Sequence, residues 1–263
     1  MRKIFIMAML LMVTILAGCG DDSDSNDKNG TLRIGLDDEY APMGFRNEKG
    51  ELVGFDIDLA KEVTRRLGVT VEFVPIDWAK KEEEITSGNV DMLWNGCDVT
   101  EERKRYLLYS KPYMDNRQIL IVKKGNTQHI YSINDLEGKI VGTQAGSNSE
   151  DYVHEHEDFK QGFEAFKTYL NFKEAFEDLD KDLVDVLIVD EIAGRYEMAR
   201  RAGKFEIIEI TVGSATEIAI AFRKDNVELR DKVQKAFDEM VKDGTARKIS
   251  EQWFQADLIK LKR

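Results

Sequence analysis

Val90-Asp91-Met92-Leu93-Trp94 and Val184-Asp185-Val186-Leu187-Ile188 are two versions of one phrase. Each is a short apolar run with a carboxylate at its second position. Each also follows an amphipathic stretch: Lys80 to Thr86, closed by Gly88, before the first, and Phe172, Ala175, Phe176 and Leu179 at helical spacing before the second. Short apolar runs after amphipathic helices read as buried strands of a parallel sheet. The echo predicts two similar α/β units.

Outward from the first phrase, Leu32, Ile34 and Leu36 alternate as a strand does, and Met43–Phe45 with Glu51–Gly54 read as a hairpin around Asn47-Glu48-Lys49-Gly50. Phe55, Leu59, Ala60, Val63 and Leu67 define a helix stopped by Gly68, and Val69–Val74 a strand. This is a βαβαβ unit, with helices on the faces of a parallel sheet. Around the second phrase lie Lys139–Thr143 and Glu164–Thr168 as strands and Ser147–His156 as a helix. Asn116–Lys124 and Glu217–Phe222 are extended segments that would cross between the lobes as hinge strands. Helices over Val227–Lys242 and Thr245–Phe254 would return to the first lobe. No phosphate-binding glycine loop, HExxH or GxSxG occurs, which leaves an ATPase, a zinc protease or a common serine hydrolase unsupported.

The ends say where the chain works. Arg2 and Lys3 precede an apolar run from Ile4 to Leu16, short for a membrane span and suited to a secretory signal. The run ends in Leu16-Ala17-Gly18-Cys19, which resembles the bacterial lipoprotein signal. The resemblance implies lipidation of Cys19 and anchoring by two acyl chains, enough for stable attachment. The polar, acidic stretch from Gly20 to Gly30 buries no apolar surface and is expected to be a tether. The net charge of −12 becomes −14 once the two cations Arg2 and Lys3 leave with the signal. That argues against nucleic-acid binding, which needs a basic footprint. With Cys19 committed to lipid, the second cysteine, Cys97, has no partner for an internal disulfide and reads as a small packed residue.

Ligands of open α/β sheets sit beyond the carboxyl ends of the strands. There the sequence offers Asp37 and Tyr40, then Trp78, then Asn95, Gly96, Asp98 and Arg103. The second unit offers Gln144, Ser147, Asn148 and Asp190. The surrounding pieces carry a family resemblance: Asp37-x-x-Tyr40-Ala41-Pro42, Gly54-Phe55-Asp56-Ile57-Asp58-Leu59, Val90-Asp91, Thr100-x-x-Arg103, Tyr109-Ser110-Lys111-Pro112-Tyr113, Gly146-Ser147, and Val184-Asp185 leading to Asp190. In this order the chain resembles the polar amino-acid-binding proteins of bacterial ABC uptake transporters, extracellular solute-binding family 3. The resemblance implies an α/β, two-lobed periplasmic-binding-protein (Venus-flytrap) fold with two hinge strands. It implies no enzyme activity, no cofactor and no metal, a monomer, a small amino acid as ligand and a permease as partner. The expected division is a signal over 1–18, the lipidated Cys19 and tether over 19–30, lobe 1 over 31–118 with 219–263, and lobe 2 over 119–218.

The resemblance also implies roles. Arg103 would hold the ligand α-carboxylate with its planar fork, helped by N–H groups at the start of its helix and by Ser147 and Asn148. Asp190 would accept the α-ammonium, and Gly96 would offer backbone groups. Tyr40 and Trp78 would sandwich the side chain, with Asp37 at its far end, which suits a cationic or amide side chain. Trp78 could instead pack inside its lobe, and Asp37 could be a solvated turn residue. The Lys80–Glu84 run is expected to be a solvated helix face, and His154-Glu155-His156 a surface feature rather than a metal site.

Asp98 departs from the family, where Thr or Ser is usual. Beside a bound carboxylate its charge would repel. It either pairs with Arg103 or the α-ammonium, or is protonated, or marks a more cationic ligand such as a basic amine. The same fold also serves sensor domains and a periplasmic dehydratase. The first is disfavoured because the chain stops at Arg263, the second because Asp98 has no matched acid–base partner.

Overall fold

The computed structural model describes residues 30–261. The signal, Cys19 and the tether up to residue 29 lie outside the described residues. Along the chain run β1 (Thr31–Leu36), β2 (Glu39–Tyr40), β3 (Gly44–Arg46), β4 (Leu52–Val53), α1 (Phe55–Leu67), β5 (Thr70–Pro75), α2 (Lys81–Thr86), β6 (Met92–Leu93), β7 (Leu107–Tyr109) and β8 (Met114–Lys123). Then come β9 (Ile140–Gln144), α3 (Asn148–Glu155), α4 (Glu157–Gln161), β10 (Ala165–Tyr169), α5 (Phe172–Asp180), β11 (Val186–Asp190) and α6 (Glu191–Arg200). The chain closes with β12 (Phe205–Ile218), β13 (Ala221–Arg223), α7 (Val227–Asp243) and α8 (Thr245–Phe254).

Two five-stranded sheets result, ordered β5-β1-β6-β13-β7 and β10-β9-β11-β8-β12, with a small β2-β3-β4 sheet beside the first. In each large sheet the first three strands are parallel and the fourth runs antiparallel. The echoed carboxylates do the same work in both. Asp91 accepts a hydrogen bond from the backbone N–H of Arg33 at 2.8 Å, and Asp185 from that of Ile140 at 2.8 Å. Each ties the loop entering the third strand to the start of the first, which fixes register at the end of the sheet remote from the cleft.

The lobes are joined by β8 and β12, which pair antiparallel from Met114/Ile218 to Lys123/Phe205 with register shifts around Val212. Below them Val99 N donates to Glu217 O at 2.8 Å and Tyr113 N to Ile218 O at 2.9 Å, so the crossing strands grow directly out of the first sheet. Helices α7 and α8 lie on α1: Trp253 Nε1 donates to Asp58 Oδ2 at 2.9 Å, and the Phe55 and Phe254 rings sit 4.9 Å apart.

Three sequence expectations are revised. The strand expected over Val90–Trp94 covers only Met92–Leu93. The second crossing segment is longer than Glu217–Phe222 and broken: β12 starts at Phe205 and β13 follows after Ile218. Much of β12 is exposed, so it carries little of the alternation that marks a strand. Helix α6 was not expected, since EIAGRYEMAR has no apolar stripe.

Asp56 shows how the fold positions the cleft. It is fully buried in the first turn of α1. Its Oδ2 accepts from Gly96 N at 2.8 Å and its Oδ1 from Tyr113 O–H at 2.7 Å. Removing it leaves two buried donors unpaired, each worth about 1–3 kcal/mol. Asp56→Ala is therefore expected to lower unfolding stability by about 2–4 kcal/mol in urea titration, with Asp56→Asn less damaging.

Candidate ligand-binding cleft

A cavity of ≈ 280 Å³ lies between the two sheets, and its walls are Asp37, Tyr40, Trp78, Asn95, Gly96, Asp98, Arg103, Gln144, Ser147, Asn148 and Asp190. These are the residues singled out from the sequence, gathered at one place. Asp37 follows β1, Tyr40 lies on β2, and Asn95, Gly96 and Asp98 follow β6. Gln144 ends β9, Ser147 caps α3 and Asp190 ends β11, so both lobes present the carboxyl ends of their strands. Trp78 serves both readings: it lines the cavity and packs with Ile85, Val90, Leu93, Cys97 and Leu107.

Several polar contacts cross from lobe to lobe. Tyr40 O–H donates to Asp190 Oδ2 at 2.7 Å, and Gln144 Nε2 to Asp37 Oδ2 at 2.6 Å. Arg103 Nη2 donates to Asp151 Oδ2 at 2.8 Å and to Gly146 O at 3.1 Å. Lys81 Nζ donates to the same Gly146 carbonyl at 2.7 Å. Lys81 corrects the expectation of a solvated Lys80–Glu84 face: it is only 6% exposed. Burial, and after it the neighbouring Arg103, pull its ammonium down to about 8. Gly146 has φ +71, and a Cβ there would fall 2.6 Å from Ala79 Cα. Only glycine allows this approach.

Arg103 is 2% exposed, and its Nε has no hydrogen-bond partner among the described residues. The helix expected to start there is only a single 3-10 turn, Arg103–Arg105, so a helix terminus adds little to an anion site. Gly96 also differs from expectation. Its N–H is occupied by Asp56, and its missing side chain makes room for Tyr40, whose Cε1 would lie 2.7 Å from a Cβ. The Ser147 oxygen caps α3 by accepting from Glu150 N at 3.2 Å.

The acidic corner also contains Asn116, Gln118 and Thr216, which were not among the expected site residues. Asn116 Nδ2 donates to Asp98 Oδ1 at 3.0 Å and to Asp190 Oδ1 at 2.6 Å. Gln118 Nε2 donates to Asp190 Oδ1 at 2.6 Å, and Thr216 Oγ1 to Asp98 Oδ1 at 2.7 Å. Asn116 and Gln118 stand two apart on β8, the same face that Leu120 and Val122 present to the core. Two amides at that spacing, ahead of an apolar strand, were the available signal. No ion pair joins Asp98 to Arg103 among the described residues; Arg103 turns to Asp151. Two carboxylate charges about 5 Å apart repel by about 3 kcal/mol at an effective dielectric near 20. Burial, and then the Asp190 carboxylate, accordingly push the Asp98 carboxyl up. Burial pushes Asp37 up to about 6.

Elsewhere, Cys97 is a fully buried free thiol. His156 stacks on Tyr152 at 4.1 Å, exposed His154 lies beside Glu150, and no metal-binding cluster occurs among the described residues.

Two α/β lobes linked by crossing strands, with a small polar cavity built from both, define a clamp-type solute-binding protein. The chain belongs to the bacterial extracellular solute-binding proteins, family 3, whose family description matches residues 32–256. It is a polar amino-acid-binding protein of the ABC uptake kind. It is 30% identical over 258 residues to the L-cystine-binding protein TcyJ of Escherichia coli (strain K12), covering 95% of each chain. It superposes with TM-score 0.82 and 36% identity on an ABC uptake transporter substrate-binding protein from Streptococcus pneumoniae with bound histidine, covering 89% of this chain and 96% of that one. An ancestral arginine-binding protein bound to glutamine matches with TM-score 0.79 and 42% identity, over 86% of this chain and 98% of the other.

Two outcomes follow for stability and closure. Asp37 and Asp56 are pushed up by burial to about 6 and about 7, and Asp98 in the same direction. The native state thus holds protons that the unfolded chain has released, and stability falls as pH rises from about 4 to about 7. The unliganded protein should melt several degrees lower at pH 7.5 than at pH 5; a higher melting temperature at pH 7.5 would show the carboxyls to be ionised throughout. Gly146→Ala should weaken ligand binding about tenfold or more by holding the lobes apart, and lower unfolding stability by about 1 kcal/mol through its left-handed backbone. Calorimetry paired with urea titration reads both.

Proposed function

We propose that this protein captures an amino acid with a cationic or amide side chain, of the arginine, lysine or glutamine class, and delivers it to an ABC permease in the closed form. The observation that carries this reading is the pairing of opposite charges on one small cavity. Buried Arg103 and Asp98 line it from the first lobe, and buried Asp190 from the second. A zwitterion satisfies both. Arg103 holds the α-carboxylate, and its unpartnered Nε marks spare donor capacity. Asp190 receives the α-ammonium. Tyr40 and Trp78 flank the side chain, and Asp37 meets its tip with an oxygen as acceptor. Arg103 belongs to the first lobe and Asp190 to the second, so the ligand's two ends favour closure by differential affinity. Catalytic turnover forms no part of this role.

The chain is proposed to act outside the cytoplasm as a monomeric lipoprotein. Residues 1–18 are the signal, Cys19 carries the lipid, and 19–30 tether the domain to the membrane. Lobe 1 spans 31–118 with 219–263 and lobe 2 spans 119–218. The residues Leu16-Ala17-Gly18-Cys19 support the anchor, and Cys19→Ala is expected to move the protein from the membrane to the soluble fraction.

Calorimetry with single amino acids tests the ligand. L-arginine, L-lysine or L-glutamine should bind, while L-glutamate should fail because its side-chain carboxylate meets Asp37. Arg103→Ala should cost about 100-fold or more, the scale of removing one partner of a buried charge pair. Retained affinity in that variant, or a preference for glutamate, would overturn the site assignment.

A further inference from the structure

Asp98 is a cavity carboxylate beyond what a zwitterion's two charges call for, since Arg103 and Asp190 already serve both ends. Its surroundings say what it does. Asp98 and Asp190 share one donor: both Oδ1 atoms bond to Asn116 Nδ2, at 3.0 and 2.6 Å. The two oxygens are therefore no further apart than those bonds laid end to end. Both residues are buried, 3% and 6% exposed.

The pair is not neutralised by its surroundings. From β12, neutral Thr216 donates to Asp98, while Glu217 turns outward to Lys260. From β8, Asn116 is neutral, Asp115 pairs with Lys260, and Arg117 pairs with Glu191 and Glu209. From β2, Tyr40 O–H donates a hydrogen bond to Asp190. On its own loop, Asp98 neighbours the buried thiol of Cys97, and the Tyr109 hydroxyl donates to the Asp98 carbonyl at 3.1 Å. Arg103 is the facing cation; it spends its Nη2 on Asp151, and Lys81 turns to Gly146.

The two carboxylates are not equivalent. Asp190 accepts from Asn116, Gln118 and Tyr40, using both oxygens. Asp98 accepts on Oδ1 alone, and no donor among the described residues reaches its Oδ2. Two close carboxylates in a water-poor site share one proton. Here the oxygen free to carry it is Asp98 Oδ2.

We propose that Asp98 is the proton-exchanging member of a carboxylate pair that recognises the ligand's α-ammonium, so that capture of the amino acid releases the Asp98 proton to solvent. The exchange balances in charge: an –NH3⁺ arrives and an H⁺ departs. No covalent bond changes beyond the O–H of Asp98. The inference rests on the amino-acid reading above. It makes Asp98 a specificity-determining residue, selecting ligands with a full positive charge at the α-position over keto or hydroxy acids of the same shape. It also makes capture proton-linked, with affinity that rises with pH until Asp98 is already ionised in the free protein. The raised Asp98 carboxyl agrees in direction.

Two measurements on the full-length protein test this. In infrared spectra of the unliganded protein, the difference between wild type and Asp98→Asn should contain one protonated-carboxyl band at pH 6 that fades by pH 8.5. Its absence at pH 6 would overturn the proposal. Calorimetry with L-arginine and with L-glutamine, neither of which titrates between pH 6 and 8, is run in buffers of different ionisation enthalpy. Wild type should release more protons at pH 6 than Asp98→Asn or Asp98→Thr, and its affinity should climb more steeply with pH, by up to about tenfold per unit. Asp37 and Lys81 titrate near the same window, so the assignment is read from the difference between wild type and variants. Equal release in all three would overturn it. If neither probe binds wild type, the amino-acid reading falls and the exchange with it, while the infrared band still decides whether the pair holds a proton.

Discussion

The structure turns on the carboxylate of Asp190. It ends β11 in the second lobe, yet one of its oxygens accepts a hydrogen bond from Tyr40 O–H of the first lobe at 2.7 Å. Its other oxygen receives the amides of Asn116 and Gln118, at 2.6 Å each. Those amides stand on β8, one of the strands that cross between the lobes. A single buried charge thus couples first lobe, second lobe and crossing strand. Truncating such a group leaves several donors unpaired at once, which costs more than the contact itself contributes. The other contacts across the cleft, at Gln144, Arg103 and Lys81, work in the same direction at its far rim.

Closure in this arrangement is a question of differential affinity. A ligand that touched one lobe only would shift nothing, however tightly it bound. The cavity divides its charged groups, with Arg103 and Asp98 on the first lobe and Asp190 on the second. Backbone geometry is built for the same end. Gly146 brings the second lobe against Ala79, and Gly96 lets Tyr40 reach over to Asp190. The stability of the free protein is set against its function here. Asp37 and Asp98 are buried where charge is disfavoured, a cost tolerated because the site must meet polar ligand atoms.

Much of this was legible in the sequence because it is written in periodicities and in strand ends. The echo of Val90–Trp94 in Val184–Ile188 announced two units, and Asp91 and Asp185 proved to make equivalent bonds to their first strands. Many of the cavity residues, among them Asp37, Asn95, Gln144 and Asp190, lie at strand ends, where open sheets place ligands. What escaped was set by tertiary contact alone. Lys81 sat in a charged run, and nothing local distinguishes a lysine that reaches across a cleft from one in water. Asn116 and Gln118 were read as part of a connecting segment, although their alternation matched the buried face of β8. Helix α6 and most of β12 carry too little apolar pattern to be read at all.

The central claim is that opposite lobes grip opposite ends of one zwitterion. Small-angle X-ray scattering with and without saturating L-arginine tests it most directly. Wild type should show a smaller radius of gyration on adding ligand, and Asp190→Ala no contraction even at concentrations that fill its weakened site. Binding without contraction in wild type, or contraction that survives the loss of Asp190, would contradict it.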